Sequence, residues 1–324
     1  MRRVALEEAC WFNQLTTPWR FTTRPLSRPK ILDRYVSRLA DFTEFRLPEM
    51  DLNGIDVQVL SLGAPGLQTQ PDTDVAVRDA RLANDLLAET VGRHPTRFAG
   101  LAAVALQDPD VAAAELRRAV HELGLCGVLV NDHTLGHYLD EERYGGFWAA
   151  LEELDVPLYL HPGVEPEWSM LDGYPELNGA TFSWAASTGG HALRLVYGGV
   201  FDRFPRATVI LGHMGEFLPY QLTRFDSRYR FFGENRRLER RPSEYFGENI
   251  KITTSGVFSH AALIAAIQAI GVDNVMFSID YPFESTEEAV RFLDSAPLSP
   301  TDLRRLAHGN ADRLLRLPCP TSNA

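Results

Sequence analysis

Four polar side chains stand where apolar runs of this sequence end. Glu7 follows Val4-Ala5-Leu6, His161 follows Leu158-Tyr159-Leu160, His213 follows Val209-Ile210-Leu211-Gly212, and Asp280 follows Val275-Met276-Phe277-Ser278-Ile279. Glu7, His161 and Asp280 together make a ligand set for one divalent cation that leaves positions open for water or substrate. Two oxygen ligands and one nitrogen favour Mg²⁺ or Mn²⁺, with Zn²⁺ also accommodated. Taken singly, each has an ordinary structural reading: a histidine before Pro162 is a hydrogen-bonded strand end, and a strand-end aspartate is a helix N-cap. The coincidence of four at matching positions argues for a site. Alternation along the first run predicts Ala5, Glu7 and Ala9 on one side and Leu6 and Glu8 on the other, with Glu7 turned inward and Cys10 away.

The elements that must bring these residues together are short strands separated by helical stretches. Strands are predicted at Val4–Leu6, Val57–Leu62, Phe98–Val104, Gly127–Val130, Leu158–Leu160, Thr208–Leu211, Ile250–Thr254 and Val275–Ile279. Between them, Asp72 to His94 carries apolar residues near a 3.6-residue period. Asp110 to Leu123 is a second helix, opened by Asp108-Pro109-Asp110 and closed at Gly124. Regular βα alternation of this length predicts a single α/β domain, a (β/α)₈ TIM barrel, which carries its chemistry at the C-terminal ends of its strands. Insertions at about 16–46 and 165–190 follow such ends and are expected at that face, and 318–324 reads as a tail.

Of the 324 residues, 45% are hydrophobic and 23% charged, enough to bury a core, and the net charge of −11 offers no attraction to nucleic acid or anionic membranes. The partner expected is therefore a small molecule. Cys10, Cys126 and Cys319 lack the spacing of a zinc knuckle or a disulfide framework, which fits a reducing cytoplasm. Glu7 and Glu8 interrupt any signal-like apolar start, and no run approaches a membrane span.

Five motifs, Ala5-Leu6-Glu7-Glu8, Tyr159-Leu160-His161-Pro162, His191-Ala192-Leu193-Arg194-Leu195, Leu211-Gly212-His213-Met214-Gly215-Glu216 and Phe277-Ser278-Ile279-Asp280-Tyr281-Pro282-Phe283-Glu284, run through nearly the whole chain. In that order they resemble the amidohydrolase-related decarboxylases, the family of the 2,3-dihydroxybenzoate, γ-resorcylate and 5-carboxyvanillate enzymes and of aminocarboxymuconate semialdehyde decarboxylase. The resemblance implies a metal on Glu7, His161 and Asp280, a polarising pair of His213 and Glu216, and a homodimer or homotetramer. It also implies that Arg224 meets a substrate anion or a subunit interface. Many members carry Glu-x-His on the first strand, where this chain has Ala9, so one ligand of that pattern is missing.

Asn131, at the end of the fourth strand, is a candidate substrate hydrogen-bond donor or a loop-forming residue. Trp11, Phe12, Trp168, Tyr281 and Phe283 are candidates to wall an aromatic pocket or to pack. The reaction implied is reversible, non-oxidative decarboxylation of an ortho-hydroxylated aromatic acid, with Asp280 delivering a proton to the ring. Two alternatives use the same barrel: a metal-dependent hydrolase or hydratase, and a barrel that binds an aromatic acid without catalysis.

Overall fold

The computed structural model describes residues 1–19, 29–164, 166–232 and 237–318. Eight strands follow one another around the fold: β1 (Val4–Cys10), β2 (Val57–Leu62), β3 (Phe98–Gly100), β4 (Val128–Asn131), β5 (Leu158–His161), β6 (Val209–Leu211), β7 (Ile250–Thr253) and β8 (Val275–Met276). Sequential neighbours pair in parallel within β1–β3 and within β4–β8. Single bridges, Ala102 to Val128 and Leu6 to Ser278, join the two sheets on both sides and close the (β/α)₈ barrel.

Alternation along the strands divides the apolar residues into two layers. Val4, Leu6, Val57, Val59, Leu101, Leu129, Tyr159, Ile210 and Met276 fill the barrel interior. The intervening residues, such as Leu60, Val130, Leu160, Leu211 and Ile252, pack outward against the helices. Ala311, Leu315 and Leu317 near the C-terminus plug the interior layer from one end. The other end is left to the polar residues.

The helix expected from Asp72 runs over Thr73–Arg93, with the Asp72 carboxylate accepting the Val75 amide. The second runs over Pro109–His121 under Asp108; it stops at Glu122, ahead of Gly124. Two strands are shorter than predicted by more than one residue, β3 and β8. Beyond β3 the Ala103 amide turns to the Asn84 side chain at 2.8 Å, which draws the chain out of the ladder. Beyond β8 the amides of Ile279 and Tyr281 go to the Glu8 carboxylate and that of Phe277 to the Leu306 carbonyl, so regular pairing ends at Met276. The first inserted segment lies partly outside the described residues; its described part contains helices Pro29–Leu39 and Arg46–Asn53. The second is built of single 3₁₀ turns at Ser169–Leu171, Pro175–Leu177 and Gly179–Thr181, leading into helix Ser183–Tyr197.

Candidate active site

Glu7 reaches the interior by a route that alternation does not predict. Val4 and Leu6 face inward, whereas Ala5, Ala9 and Cys10 belong to the outer layer, so a regular strand would turn Glu7 outward. The register against β2 slips between Ala5 and Glu8, and Glu7 has φ of 64°. This bulge reverses the side chain, and the expectation that Ala5, Glu7 and Ala9 share one side is corrected.

Inside, the two oxygens of Glu7 have unlike surroundings. Oε2 accepts from the Tyr159 hydroxyl, from Ser255 Oγ and, at 3.4 Å, from Thr253 Oγ1. Oε1 is buried without a hydrogen-bond partner among the described residues and lies 3.3 Å from both His161 Nε2 and His213 Nε2. Burial by itself would raise the Glu7 pKa, but the neighbouring His213 and His161 and the Ser255 hydroxyl outweigh it and hold the acid at about 2. A Cβ at Gly212 would stand 2.5 Å from Oε2, so the residue before His213 must be glycine for Glu7 to fit.

His161 is fixed from behind. Its Nδ1 lies 2.7 Å from the Pro162 carbonyl and 3.0 Å from Asn131 Oδ1, both acceptors, which puts the proton on Nδ1 and aims the Nε2 lone pair at Glu7 and Asp280. Asn131 is thereby occupied with orienting an imidazole. His213 begins a run of left-handed residues, His213, Met214, Gly215, Glu216 and Phe217, that folds its ring back onto Glu216. Nδ1 is 2.7 Å from Glu216 Oε1, and Nε2 faces Asp280 Oδ2 at 3.6 Å. Burial opposes charge on His213, yet Glu7, Glu216 and Asp280 raise its pKa well above the ordinary value. Burial likewise lowers and Glu7 raises His161, with a net upward shift. Asp280 is itself left-handed, with φ of 80°, and burial and then the nearby Glu7 charge push its pKa up against the pull of His213 and His161.

Glu7, Glu216, His213 and Asp280 all have positive φ, rare for non-glycine residues, and their clustering marks a site where geometry takes precedence over local stability. One ligand atom from each of Glu7, His161 and Asp280 lies within 4.8 Å of the others. The donor set fits a divalent cation: a bare buried carboxylate oxygen, an imidazole lone pair aimed at it, and a second carboxylate.

The other predicted residues lie apart from this cluster or beside it. Arg224 is exposed on helix Leu222–Phe232, and among the described residues it makes no hydrogen bond or ion pair. The Tyr281 ring is buried, 4.3 Å from the Arg46 guanidinium and 5.9 Å from that of Arg38. Phe12 stacks on Phe42 at 5.6 Å and Phe283 meets Tyr35 edge-on at 5.1 Å, so packing takes up both. Tyr159, Thr253 and Ser255 were not singled out from the sequence. The alternation of Leu158-Tyr159-Leu160 was the available signal for Tyr159, since outward leucines require an inward phenol.

A closed parallel barrel with this acid–imidazole cluster at the C-terminal ends of its strands defines a metal-dependent enzyme scaffold of the amidohydrolase kind. The amidohydrolase family model matches residues 27–317, and the chain belongs to that family. It is 44% identical to the γ-resorcylate decarboxylase of Rhizobium radiobacter over 86% of this chain and 89% of the relative. The crystal structure of a 2,6-dihydroxybenzoate decarboxylase complexed with 2,6-dihydroxybenzoate superposes with a TM-score of 0.89 at 40% identity, covering 98% of this chain and 99% of the other. A dihydroxybenzoic acid decarboxylase from Polaromonas sp., with bound manganese and the inhibitor 2-nitroresorcinol, gives a TM-score of 0.89 at 39% identity over 98% and 97% of the two chains.

Proposed function

We propose that this protein is a divalent-metal-dependent carboxy-lyase that removes CO₂ reversibly from an ortho-hydroxylated aromatic carboxylic acid. The observation that carries the reading is the bare Oε1 of Glu7, buried and flanked by His161 and Asp280, in a chain so similar to decarboxylases of dihydroxybenzoates. Glu7, His161 and Asp280 would hold the ion, Mn²⁺ or Mg²⁺ in preference to Zn²⁺. When bound it supplies Lewis-acid stabilisation of carboxylate and phenolate oxygens.

The chain's own residues account for the remaining chemistry. Asp280 stands in the same cluster and would deliver a proton to the ring carbon bearing the carboxylate, taking that proton up as bound substrate rearranges the coordination. That carbon becomes tetrahedral; the bond to the carboxylate then breaks, its electron pair returns to the ring, and CO₂ leaves. His213, held by Glu216, faces the same space through Nε2 and fixes the ortho hydroxyl, whose oxygen takes up ring charge. Asn131 acts behind His161, and Tyr281 contributes by packing beside Asp280.

The reading extends to a single-domain chain that assembles as a homodimer or homotetramer in the cytoplasm. Trp168, Tyr174, Phe217 and Tyr220 are exposed, as is Arg224, and a second subunit would give Arg224 the partner it lacks among the described residues. Among the described residues no helix is long and apolar enough to cross a membrane.

The test is incubation of the Mn²⁺-loaded protein with a panel of ortho-hydroxybenzoates, including 2,6-dihydroxybenzoate. CO₂ release, and bicarbonate-dependent carboxylation of the corresponding phenol, are the expected results. Hydrolysis of lactones or amides, or hydration of unsaturated acids, with no CO₂ released from any member of the panel, would overturn the reading.

A further inference from the structure

The bulge that turns Glu7 inward has a second effect, on its neighbour. Along the β1–β8 seam the Leu6 amide donates to the Phe277 carbonyl at 3.3 Å and, past the bulge, the Ala9 amide donates to the Tyr281 carbonyl at 2.8 Å. Between these rungs the backbone ladder gives way to a side chain. Glu8 Oε1 accepts the Ile279 amide at 3.0 Å and the Ser278 hydroxyl at 3.4 Å, while Oε2 accepts the Tyr281 amide at 3.3 Å. The two amides belong to the residues on either side of Asp280.

We propose that Glu8 is the positioning residue for Asp280, a buried carboxylate that replaces the backbone rungs lost at the Glu7 bulge and thereby holds the eighth-strand ligand in place. The inference rests on the reading of Glu7, His161 and Asp280 as the metal cluster. Burying a carboxylate is costly, and a core that needed only packing would place an apolar residue here. Glu8 is fully buried nonetheless. Arg46, equally buried, donates to the Ala9 carbonyl at 2.6 Å and to Gln58 Oε1 at 3.0 Å, and lies on the Tyr281 ring. Arg46 thus touches the seam on both strands.

What this arrangement fixes is one residue. Asp280 is left-handed and has no glycine's freedom to relax into that conformation. With the amides before and after it held by a single carboxylate, its direction is set by β1. One bulge then controls two ligands on opposite sides of the seam: Glu7 directly, and Asp280 through Glu8. A structural glutamate elsewhere in the wall would support the barrel without linking these two carboxylates.

The experiment compares wild type with Glu8→Gln and Glu8→Ala in Mn²⁺ affinity, read from the electron paramagnetic resonance of free Mn²⁺, and in crystals of the ion-free protein. Glutamine keeps the volume but turns an amino group toward one of the two amides. It is expected to weaken Mn²⁺ binding by about 10-fold and alanine by about 100-fold, the range for groups that orient metal ligands. In ion-free Glu8→Gln crystals the Asp280 carboxylate is expected to leave the cluster with Glu7 and His161. Wild-type Mn²⁺ affinity in Glu8→Gln with Asp280 unmoved would overturn the proposal. If Glu8→Ala does not fold, the isosteric variant decides. Should wild type bind no Mn²⁺, the metal reading of the site fails, and the place of Asp280 in the crystals still decides whether Glu8 positions it.

Discussion

Two histidine–carboxylate pairs stand at the same end of the barrel and differ in what their bonds leave over. In the His191–Asp132 pair every side-chain atom is engaged. His191 Nδ1 meets Asp132 Oδ1 at 2.9 Å, His191 Nε2 accepts the Leu139 amide at 3.0 Å, and Asp132 Oδ2 accepts the Ser187 hydroxyl at 2.6 Å. In the His213–Glu216 pair, Glu216 Oε2 has no hydrogen-bond partner among the described residues, and His213 Nε2 faces two further carboxylates. Residue types and pairing are nearly the same. The closed pair fastens the loop after β4 to a helix; the open one directs its unused valence into a shared space. Bare atoms are expensive in a folded chain, so where several point at one another, function is the reason to keep them.

That contrast is broken most severely if the open cluster proves structural. Asp280→Asn removes the proton carrier and a ligand, and kcat/KM on the best ortho-hydroxybenzoate is expected to fall by about 10²–10⁴-fold. Its melting temperature in the ion-free state should stay level or rise, because one of two neighbouring buried carboxylates is neutralised. Full turnover, or a loss of activity explained by unfolding, would remove Asp280 from the chemistry.

The closed pair should respond in the opposite way. Asp132→Asn is expected to cost about 1.5–3 kcal/mol of stability at neutral pH, with turnover at room temperature reduced far less than by Asp280→Asn. Burial alone would raise the Asp132 pKa, but the His191 bond and then the Ser187 bond bring it below the ordinary value. A carboxyl depressed in the folded state stabilises above its unfolded pKa of about 3.9 and loses that contribution as pH falls through the folded value. Urea melts of wild type and variant should therefore begin to converge as pH falls below about 3.9 and meet only below the depressed folded value. A gap as wide in acid as at neutral pH would show that the Asp132 charge is not what stabilises the loop.

Much of this was legible in the sequence, and the failures share a cause. Period-2 runs ending in Glu7, His161, His213 and Asp280 exposed both the barrel and its cluster, since a parallel strand points its last polar residue at the mouth whatever the helices do. The sidedness of β1 was misread because alternation assumes unbroken extended backbone, and one residue at φ of 64° invalidates it from Glu7 onward. The same break hid Glu8, whose role exists only once the ladder between β1 and β8 is interrupted. Asn131 was legible as a strand-end polar group, but not the imidazole it supports, because its partner lies thirty positions away.

The smallest expected effect separates the two pairs by their supports instead of their members. Tyr159 and Ser187 each donate a hydroxyl to a carboxylate, Tyr159 to Glu7 in the open cluster and Ser187 to Asp132 in the closed pair. Burial and then the Glu7 charge push the Tyr159 pKa well up, so the phenol keeps its proton and remains a donor at every working pH. Tyr159→Phe leaves Oε2 with Ser255 and Thr253 and loosens the orientation of Oε1, which should weaken Mn²⁺ binding about tenfold. Ser187→Ala should lower stability by about 1 kcal/mol and leave Mn²⁺ affinity unchanged. Equal effects of both substitutions on Mn²⁺ binding would mean that the two pairs are coupled through Asn131 and His161, and that the division between a bonded scaffold and an open site does not hold at this end of the barrel.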